Sequence, residues 1–142
     1  MKIMLTVPGE PKGKARPKFD SRSRRAYTPS DTKKYEKQIS DIYRLHYPEL
    51  AFPDGALDLR IKAYFGVPKS DSAKTTLRKL ANVIRPTKKP DMDNIVKIVA
   101  DALNGVAFRD DAQIVDCMVR KFYSDSPRVE ITIENIKEVN PI

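Results

Sequence analysis

Cysteine and histidine are nearly absent from the chain, which has one of each among its 142 residues. With Cys117 alone, no disulfide can form within one chain, and a zinc site built from cysteine and histidine lacks ligands. A Ser-His-Asp triad would have to use His46, which continues the apolar stripe of a predicted helix and is expected to be structural. Any metal must therefore be held mainly by oxygen atoms, which favours Mg²⁺ or Mn²⁺.

Long apolar runs are also missing. No stretch approaches the roughly 20 apolar residues that a membrane-spanning helix needs, and the apolar run at the N-terminus is too short for a signal peptide. We therefore expect a cytoplasmic protein with no membrane partner. We also expect no small organic cofactor. A chain of 142 residues that is 40% hydrophobic suits one compact domain, here residues 1–142.

Positive charge is in excess and is unevenly distributed. The chain has 27 Lys and Arg residues against 19 Asp and Glu residues, for a net charge of +8. One basic cluster lies in residues 12–25 and another in residues 69–89, each with a single acidic residue, Asp20 or Asp71. Two such clusters on a small domain indicate a polyanionic partner, most commonly nucleic acid. The alternative is a solvated basic surface.

Hydrophobic periodicity predicts a mixed α/β fold of about four strands packed with about three helices. The predicted strands cover residues 2–7, 57–65, 114–122 and 128–133, and the last two are expected to pair as an antiparallel hairpin. Residues 12–25 are predicted to be a flexible basic loop, and residues 135–142 a polar tail.

Three helices are predicted between the strands. The first has Thr28 as N-cap, Pro29 at the first helical position and Asp31 at the third, and Pro48 stops it. The second is a short amphipathic helix around residues 73–84. Its apolar positions are Ala73, Leu77, Leu80, Ala81 and Ile84, and its outward basic residues are Lys74, Arg78 and Lys79. The third covers residues 91–104, and Gly105 ends it.

The third helix carries chemistry on one face. At about 100° per residue, its apolar residues fall in one arc and its polar residues in the opposite arc. Asp93, Lys97 and Asp101 are each four residues apart and therefore stack along the polar face. A purely structural interpretation is that Asp91 and Asp93 cap the helix and that the other charges form surface ion pairs.

A second acidic pair, Asp110 and Asp111, follows where the chain turns from helix back into strand. A short connection of this kind can bring one of the two carboxylates near the helix. Clustered carboxylates repel one another, and a divalent cation relieves that repulsion. A cluster of acidic residues in a chain with two basic segments therefore points to hydrolysis of a phosphodiester rather than to passive DNA binding.

The run from Lys89 to Gln113 resembles the core motif of the RusA family of Holliday junction resolvases. The matching segments are Asp91-Met92-Asp93-Asn94, Lys97, Asp101-Ala102-Leu103-Asn104-Gly105 and Asp110-Asp111-Ala112-Gln113-Ile114. The N-terminal part resembles members common in prophages, at Gly13-Lys14-Ala15-Arg16-Pro17-Lys18, Arg25-Ala26-Tyr27-Thr28-Pro29 and Tyr35-Glu36. The likeness extends to about Ile133.

The resemblance implies a function and a set of site residues. In the family, three essential acidic residues bind Mg²⁺, and they correspond to Asp91, Asp93 and Asp111. The essential lysine corresponds to Lys97, while Asp101 and Asp110 match acidic positions of less defined role. Family members are homodimers that cut four-way DNA junctions symmetrically in recombination and repair. The cations expected to contact backbone phosphates are Lys12, Lys14, Arg16, Lys18, Arg24, Arg25, Lys88 and Lys89.

Other functions are compatible with the same residues. A nuclease that acts on flaps or forks would use the same metal site. A non-catalytic DNA-binding protein would use the acids only as caps and surface pairs, and its binding would not respond to Mg²⁺. RNA binding is less favoured, because the sequence lacks an evident glycine-aromatic strand for stacking single-stranded bases.

Overall fold

A computed structural model describes residues 1–27 and 29–137 of the chain. The strands are β1 (Lys2–Pro8), β2 (Lys18–Asp20), β3 (Arg25–Tyr27), β4 (Leu57–Gly66), β5 (Ile114–Ser124) and β6 (Arg128–Asn135). The helices are α1 (Ser30–His46), α2 (Ala73–Leu80) and α3 (Met92–Leu103), and a 3₁₀ turn covers Asp111–Gln113. The predicted α/β class, with a four-stranded mixed sheet and three helices, is confirmed.

The main sheet has the strand order β1-β6-β4-β5. β6 pairs antiparallel with both β1 and β4, whereas β5 pairs parallel with β4. The predicted hairpin between β5 and β6 is therefore wrong, because β4 lies between them. β6 buries Val129, Ile131 and Ile133 and takes a central place, while β5 buries none of its residues and lies at the edge.

The connection from β5 to β6 crosses the end of β4 at Gly66. A Cβ atom on Gly66 would lie 3.2 Å from Pro127 Cγ and 2.2 Å from Glu10 Oε1. The Gly66 amide also donates a hydrogen bond of 2.9 Å to Glu10 Oε1. Glycine at this position therefore allows both neighbours to approach the strand end.

One layer of helices covers one face of the sheet. The inner face of β1 buries Ile3, Leu5 and Val7, and β4 buries every second residue from Leu57 to Phe65. Against this face pack α1 and α3, with buried residues Tyr35, Ile39, Tyr43, Ile95, Ile98, Val99, Ala102 and Leu103. The core therefore holds α3 by its apolar face and leaves its polar face outward. Within residues 1–27 and 29–137, no helix combines the length and apolar character needed to cross a membrane.

The start of α1 and the exposure of His46 differ from the prediction, whereas the helix ends before Pro48 as predicted. The N-cap of the helix is Pro29, and among the described residues no side chain makes a capping hydrogen bond to this helix end; the predicted cap Thr28 lies outside the described residues. His46 is exposed rather than part of the core stripe, because the last turn of α1 extends beyond the packed region. Its Nδ1 atom lies 3.0 Å from the Ile42 carbonyl oxygen.

The short helix α2 also differs from the prediction. None of its residues is buried, and Leu77 is 69% exposed, so the predicted apolar face does not pack against the core. Lys79, predicted to point outward, instead forms an ion pair with Asp71 and has a side chain that is only 12% exposed. Its ammonium lies 4.7 Å from the centre of the Tyr123 ring.

The basic segment is more structured than a loop. Strands β2 and β3 form a small antiparallel hairpin within residues 18–27. At the C-terminus, β6 continues to Asn135, the first residue of the predicted polar tail, because Glu134 and Asn135 still pair with Asp58 and Leu57 of β4. Residues 138–142 of that tail lie outside the described residues.

Candidate active site

Helix α3 presents the polar residues of the motif. Asp91 is its N-cap residue, but the Asp91 side chain makes no capping hydrogen bond. The side chain of Lys97 is 62% exposed, and its ammonium lies 3.6 Å from Asp101 Oδ2. The carboxylate of Asp91 is thus not used to hold the helix end, and it is available for other chemistry.

Four charged side chains of the motif line one cavity of about 430 Å³, between α3 and β5. They are Asp93, Lys97, Asp101 and Asp111. Apolar or weakly polar side chains form the rest of the wall: Met92, Val96, Ala100, Cys117 and Val119. The arrangement places three carboxylates and one ammonium around a shared space with a mostly apolar lining.

The two acidic residues at the start of the 3₁₀ turn, Asp110 and Asp111, have different roles. Asp110 Oδ1 accepts a hydrogen bond of 3.0 Å from the Ala112 amide, and Gln113 Oε1 accepts one of 3.3 Å from the Asp110 amide. Asp110 therefore caps the turn. The Asp111 amide donates to Asn104 Oδ1 over 3.2 Å, which ties the turn to the end of α3. Asp111 is the member of the pair that lines the cavity.

The carboxylates of this site influence one another. The pKa of Asp111 is raised, first by its side-chain hydrogen bond with Asp110, then by desolvation and by repulsion from Asp110 and Asp101, against an opposing effect of Lys97. The pKa of Asp110 is lowered, mainly by the hydrogen bond from the Ala112 amide. A cation beside Asp111 would relieve the repulsion that raises its pKa.

A second cavity, of about 750 Å³, adjoins the N-terminal end of α3. We call it the basic groove. Its wall contains Lys12, Gly13, Lys14, Ala15, Arg16, Lys89, Pro90, Asp91 and Asn94. Asp91 therefore lies in the basic groove, whereas Asp93 and Asp111 line the other cavity. Among the described residues, no three Asp, Glu, His or Cys side chains stand close enough to hold a metal ion together.

Lys14 differs from the other cations predicted to contact DNA. Its side chain is only 13% exposed, and it forms ion pairs with Glu36 of α1 and Asp101 of α3. Burial disfavours the charged ammonium, but hydrogen bonds to Glu36 and Asp101 outweigh it and raise the pKa of Lys14. Lys14 and Glu36 both lie in the N-terminal segments that resemble prophage members of the family. That resemblance is the sequence feature that could have indicated their contact.

The backbone beside Lys14 is also fixed on α3. The Lys14 amide donates a hydrogen bond of 2.9 Å to the Asn94 carbonyl. A Cβ atom on Gly13 would lie only 2.7 Å from Pro90 Cβ and 3.0 Å from Asn94 Cβ. Glycine therefore permits the close approach that places the basic segment against the first turn of α3.

The remaining predicted cations are exposed in two places. Lys18, Arg24 and Arg25 lie on or beside the strands of the hairpin β2–β3. Lys12, Arg16 and Lys89 line the basic groove, and Lys88 lies next to Lys89 with its ammonium 5.7 Å from the centre of the Phe65 ring. Their roles toward DNA stay predictions. The hairpin follows the groove directly along the chain, since β2 begins at Lys18, two residues after Arg16.

Sequence reasoning missed Lys121. From β5, its ammonium donates hydrogen bonds of 2.6 Å to the Lys88 carbonyl and 3.0 Å to the Pro90 carbonyl. Desolvation lowers the pKa of Lys121, with smaller effects from Asp91, which raises it, and Lys88. Lys121 thus anchors the segment that leads into Asp91. No local pattern indicates this contact, because its partners are more than 30 residues away.

The donor atoms suit a hard divalent cation. Asp93, Asp101 and Asp111 offer only carboxylate oxygens, which are the ligands that Mg²⁺ prefers. Mg²⁺ is commonly bound by one or two carboxylates, with water and substrate phosphate oxygens as its other ligands. The carboxylates of this cavity therefore fit a Mg²⁺ ion bound by one or two of them, rather than a cage of three carboxylates formed in advance.

Comparison with known proteins gives two matches. Residues 8–134 match the family described as Endodeoxyribonuclease RusA. The chain is also 38% identical over 138 residues to an uncharacterized protein of Bacillus subtilis (strain 168), YqaN, and the match covers 94% of this chain and 96% of that protein. The family match includes the basic groove and the cavity between α3 and β5.

Proposed function

This chain belongs to the endodeoxyribonuclease RusA family, and we propose that it is a Mg²⁺-dependent endonuclease that resolves four-way DNA junctions. The observation that carries the proposal is the cavity that gathers Asp93, Lys97 and Asp111 beside a groove lined by cations. Basic groups that hold a phosphate backbone next to clustered carboxylates are the parts that metal-assisted phosphodiester hydrolysis requires.

The basic surface positions the substrate. Lys12, Arg16 and Lys89 line the groove and attract backbone phosphates, and such contacts carry little sequence information. They place a strand at the N-terminal end of α3, next to Asp91. We therefore place the scissile phosphate between the groove and the cavity.

The residues of the cavity act on the phosphate. Asp93 and Asp111 would hold Mg²⁺, which would supply activation of water and stabilisation of charge on the phosphoryl group; Asp91, the third predicted ligand, lines the adjoining basic groove. Lys97 is exposed and places its ammonium where negative charge develops in the transition state. Asp101 accepts ion pairs from both Lys97 and Lys14 and so orients Lys97.

We further propose that the protein acts as a homodimer. A four-way junction has approximate two-fold symmetry, and its resolution needs two opposed cuts. A dimer with C₂ symmetry supplies two identical sites related by the same operation. Each subunit then contributes one cavity and one basic groove.

Cleavage of a labelled synthetic four-way junction tests the proposal. Wild type, Asp93→Asn and the control Asp125→Asn, which removes an exposed acid in the β5–β6 turn, are compared in Mg²⁺ and in EDTA. We expect paired symmetric nicks from wild type and the control in Mg²⁺ alone, and at least about 100-fold slower cleavage by Asp93→Asn.

Two results would contradict the proposal. Tight junction binding by wild type without cleavage in Mg²⁺ or Mn²⁺ would leave a non-catalytic DNA-binding protein. Equal or faster cutting of flaps and forks on a substrate panel would assign the same metal site to a different branched substrate.

A further inference from the structure

The hairpin β2–β3 exposes an aromatic ring on a basic surface. Phe19 is 67% exposed and is paired in the hairpin with Ala26, whose side chain is too small to cover a phenyl ring. Residues 16–25 contain five cations and the single acid Asp20. An apolar ring surrounded by cations suits a ligand that is both flat and anionic, as a nucleotide is.

The turn of the hairpin is held by its own hydrogen bonds. Asp20 Oδ1 accepts from the Arg22 amide over 2.9 Å, and Asp20 Oδ2 accepts from the Ser23 hydroxyl over 3.1 Å. The Arg24 amide donates to the Asp20 carbonyl over 2.7 Å, and Arg24 has a φ of 55°. These contacts hold the turn that joins β2 and β3. Phe19 is therefore exposed in a folded hairpin rather than in an irregular loop.

The hairpin begins next to the basic groove. Arg16 lines the groove together with Asp91, and Lys18 starts β2 two residues later. Phe19 is three residues from Arg16, which limits their separation to about 10 Å along the chain. Lys14 and Gly13 hold the preceding segment on α3. The ring therefore lies within reach of DNA bound in the groove.

Linear and branched DNA differ in the base surface that they offer. In a duplex, both faces of each base are covered by stacked neighbours. At a branch point, stacking is interrupted and a base face can be exposed. Aromatic side chains stack on such faces with little dependence on base identity, and apolar side chains can also insert at disrupted base steps.

We propose that Phe19 stacks on a base exposed at the branch point and thereby distinguishes branched DNA from linear duplex. The inference rests on the proposed function, since it assumes that the groove binds branched DNA. In this proposal the hairpin recognises the branched form of the DNA, and the cavity between α3 and β5 carries out the hydrolysis.

The test measures the affinity for a four-way junction and for a linear duplex of equal length in EDTA, where no cleavage interferes. Phe19→Leu keeps an apolar side chain and removes the ring, whereas Phe19→Trp restores an aromatic surface. The control Phe52→Leu changes another exposed phenylalanine, which is 40% exposed and precedes β4. Thermal unfolding of each variant establishes that the fold is retained.

For Phe19→Leu, we expect junction binding to weaken roughly 5- to 100-fold while duplex binding is unchanged, in line with the effect of losing one stacked base. Phe19→Trp and Phe52→Leu should bind like wild type. Unchanged junction affinity in Phe19→Leu, or an equal loss on both DNAs, would overturn the proposal. A change in oligomeric state for Phe19→Leu without DNA would do the same, by placing the ring at a contact between protein chains.

These outcomes separate the inference from the proposed function. If wild type prefers junctions and Phe19→Leu loses the preference, stacking is supported even when Mg²⁺ produces no cleavage. If wild type cuts junctions and Phe19→Leu binds them as tightly, the endonuclease stands and the stacking role is excluded. A wild type without any preference for branched DNA would overturn the stacking proposal.

Discussion

The ammonium of Lys14 lies 3.2 Å from Asp101 Oδ2, so a residue of the basic N-terminal segment supports the polar face of α3. The same ammonium pairs with Glu36 of α1. The Lys14 ammonium therefore joins three segments that are distant in sequence: the basic N-terminal segment, α1 and α3. We infer that Lys14 positions Asp101, which in turn pairs with Lys97.

The first prediction separates Lys14 from its neighbour Lys12. Lys14→Met leaves Glu36 and Asp101 without their shared partner, and we expect the free energy of unfolding to fall by about 2 kcal/mol. Lys12→Met removes an exposed groove cation and should leave that free energy unchanged while it weakens DNA binding and reduces its salt dependence. Urea unfolding and binding at several salt concentrations measure both effects. Equal stability of the two variants would refute the positioning role.

The second prediction separates Asp110 from Asp111. Asp110→Ala loses the cap of the 3₁₀ turn and should unfold at lower temperature while it still cuts DNA when folded. The pKa of Asp111 is raised in the fold, so its charged form opposes folding, and this contribution to stability falls as pH rises through that pKa. Asp111→Asn should therefore unfold at or above the wild-type temperature in EDTA near pH 7, and cleave poorly in Mg²⁺.

Unfolding temperature and cleavage rate, measured on the same samples, check this prediction. Asp110→Asn serves as the control, since asparagine also caps a turn and should keep most of the stability. A large loss of stability in Asp111→Asn together with retained cleavage would reverse the two assignments.

The third prediction concerns Lys121. Lys121→Met removes the two hydrogen bonds to the carbonyls of Lys88 and Pro90, and we expect a loss of about 1–2 kcal/mol in stability. Because the same segment leads into Asp91, cleavage should slow at saturating DNA and a higher Mg²⁺ concentration should be needed. Lys62→Met, which removes an exposed lysine from β4, is the matched control. An unaltered Mg²⁺ dependence in folded Lys121→Met would show that Asp91 does not need this anchor.

The fourth prediction concerns removal of the metal. A cation that binds only the folded state raises stability, by about 1.4 kcal/mol when its concentration is ten times the dissociation constant. Wild type and Asp125→Asn should therefore unfold at higher temperature in Mg²⁺ than in EDTA at matched ionic strength. The doubly substituted protein, Asp93→Asn with Asp111→Asn, should show no difference. An identical Mg²⁺ effect in all three proteins would place the ion elsewhere.

Local sequence patterns were sufficient for most of the secondary structure. The alternation of apolar residues in β1, β4 and β6 and the apolar arc of α3 correctly predicted those elements within a few residues. Each pattern reports which side of an element faces the core, and this depends on neighbours only a few residues away. For the same reason the i+4 spacing was enough to place Lys97 beside Asp101.

Elements with weak burial were predicted less well. The apolar positions of α2 suggested a core-facing helix, yet Leu77 and Leu80 are exposed, because a short helix can be held by caps and ion pairs alone. The basic segment has no apolar period, so its hairpin was missed. Its formation depends on the turn that Asp20 holds.

The sequence by itself determined the fold class, the apolar and polar faces of α3 and the family to which the chain belongs. Only the tertiary structure decided that β6 separates β1 from β4, that Asp91 lies in the basic groove while Asp111 lines the neighbouring cavity, and that Lys14 and Lys121 hold the site together. Strand order results from competition among all strands for the buried centre of the sheet. Contacts across 20 or more residues form only after packing brings their partners together, and no local pattern encodes that proximity.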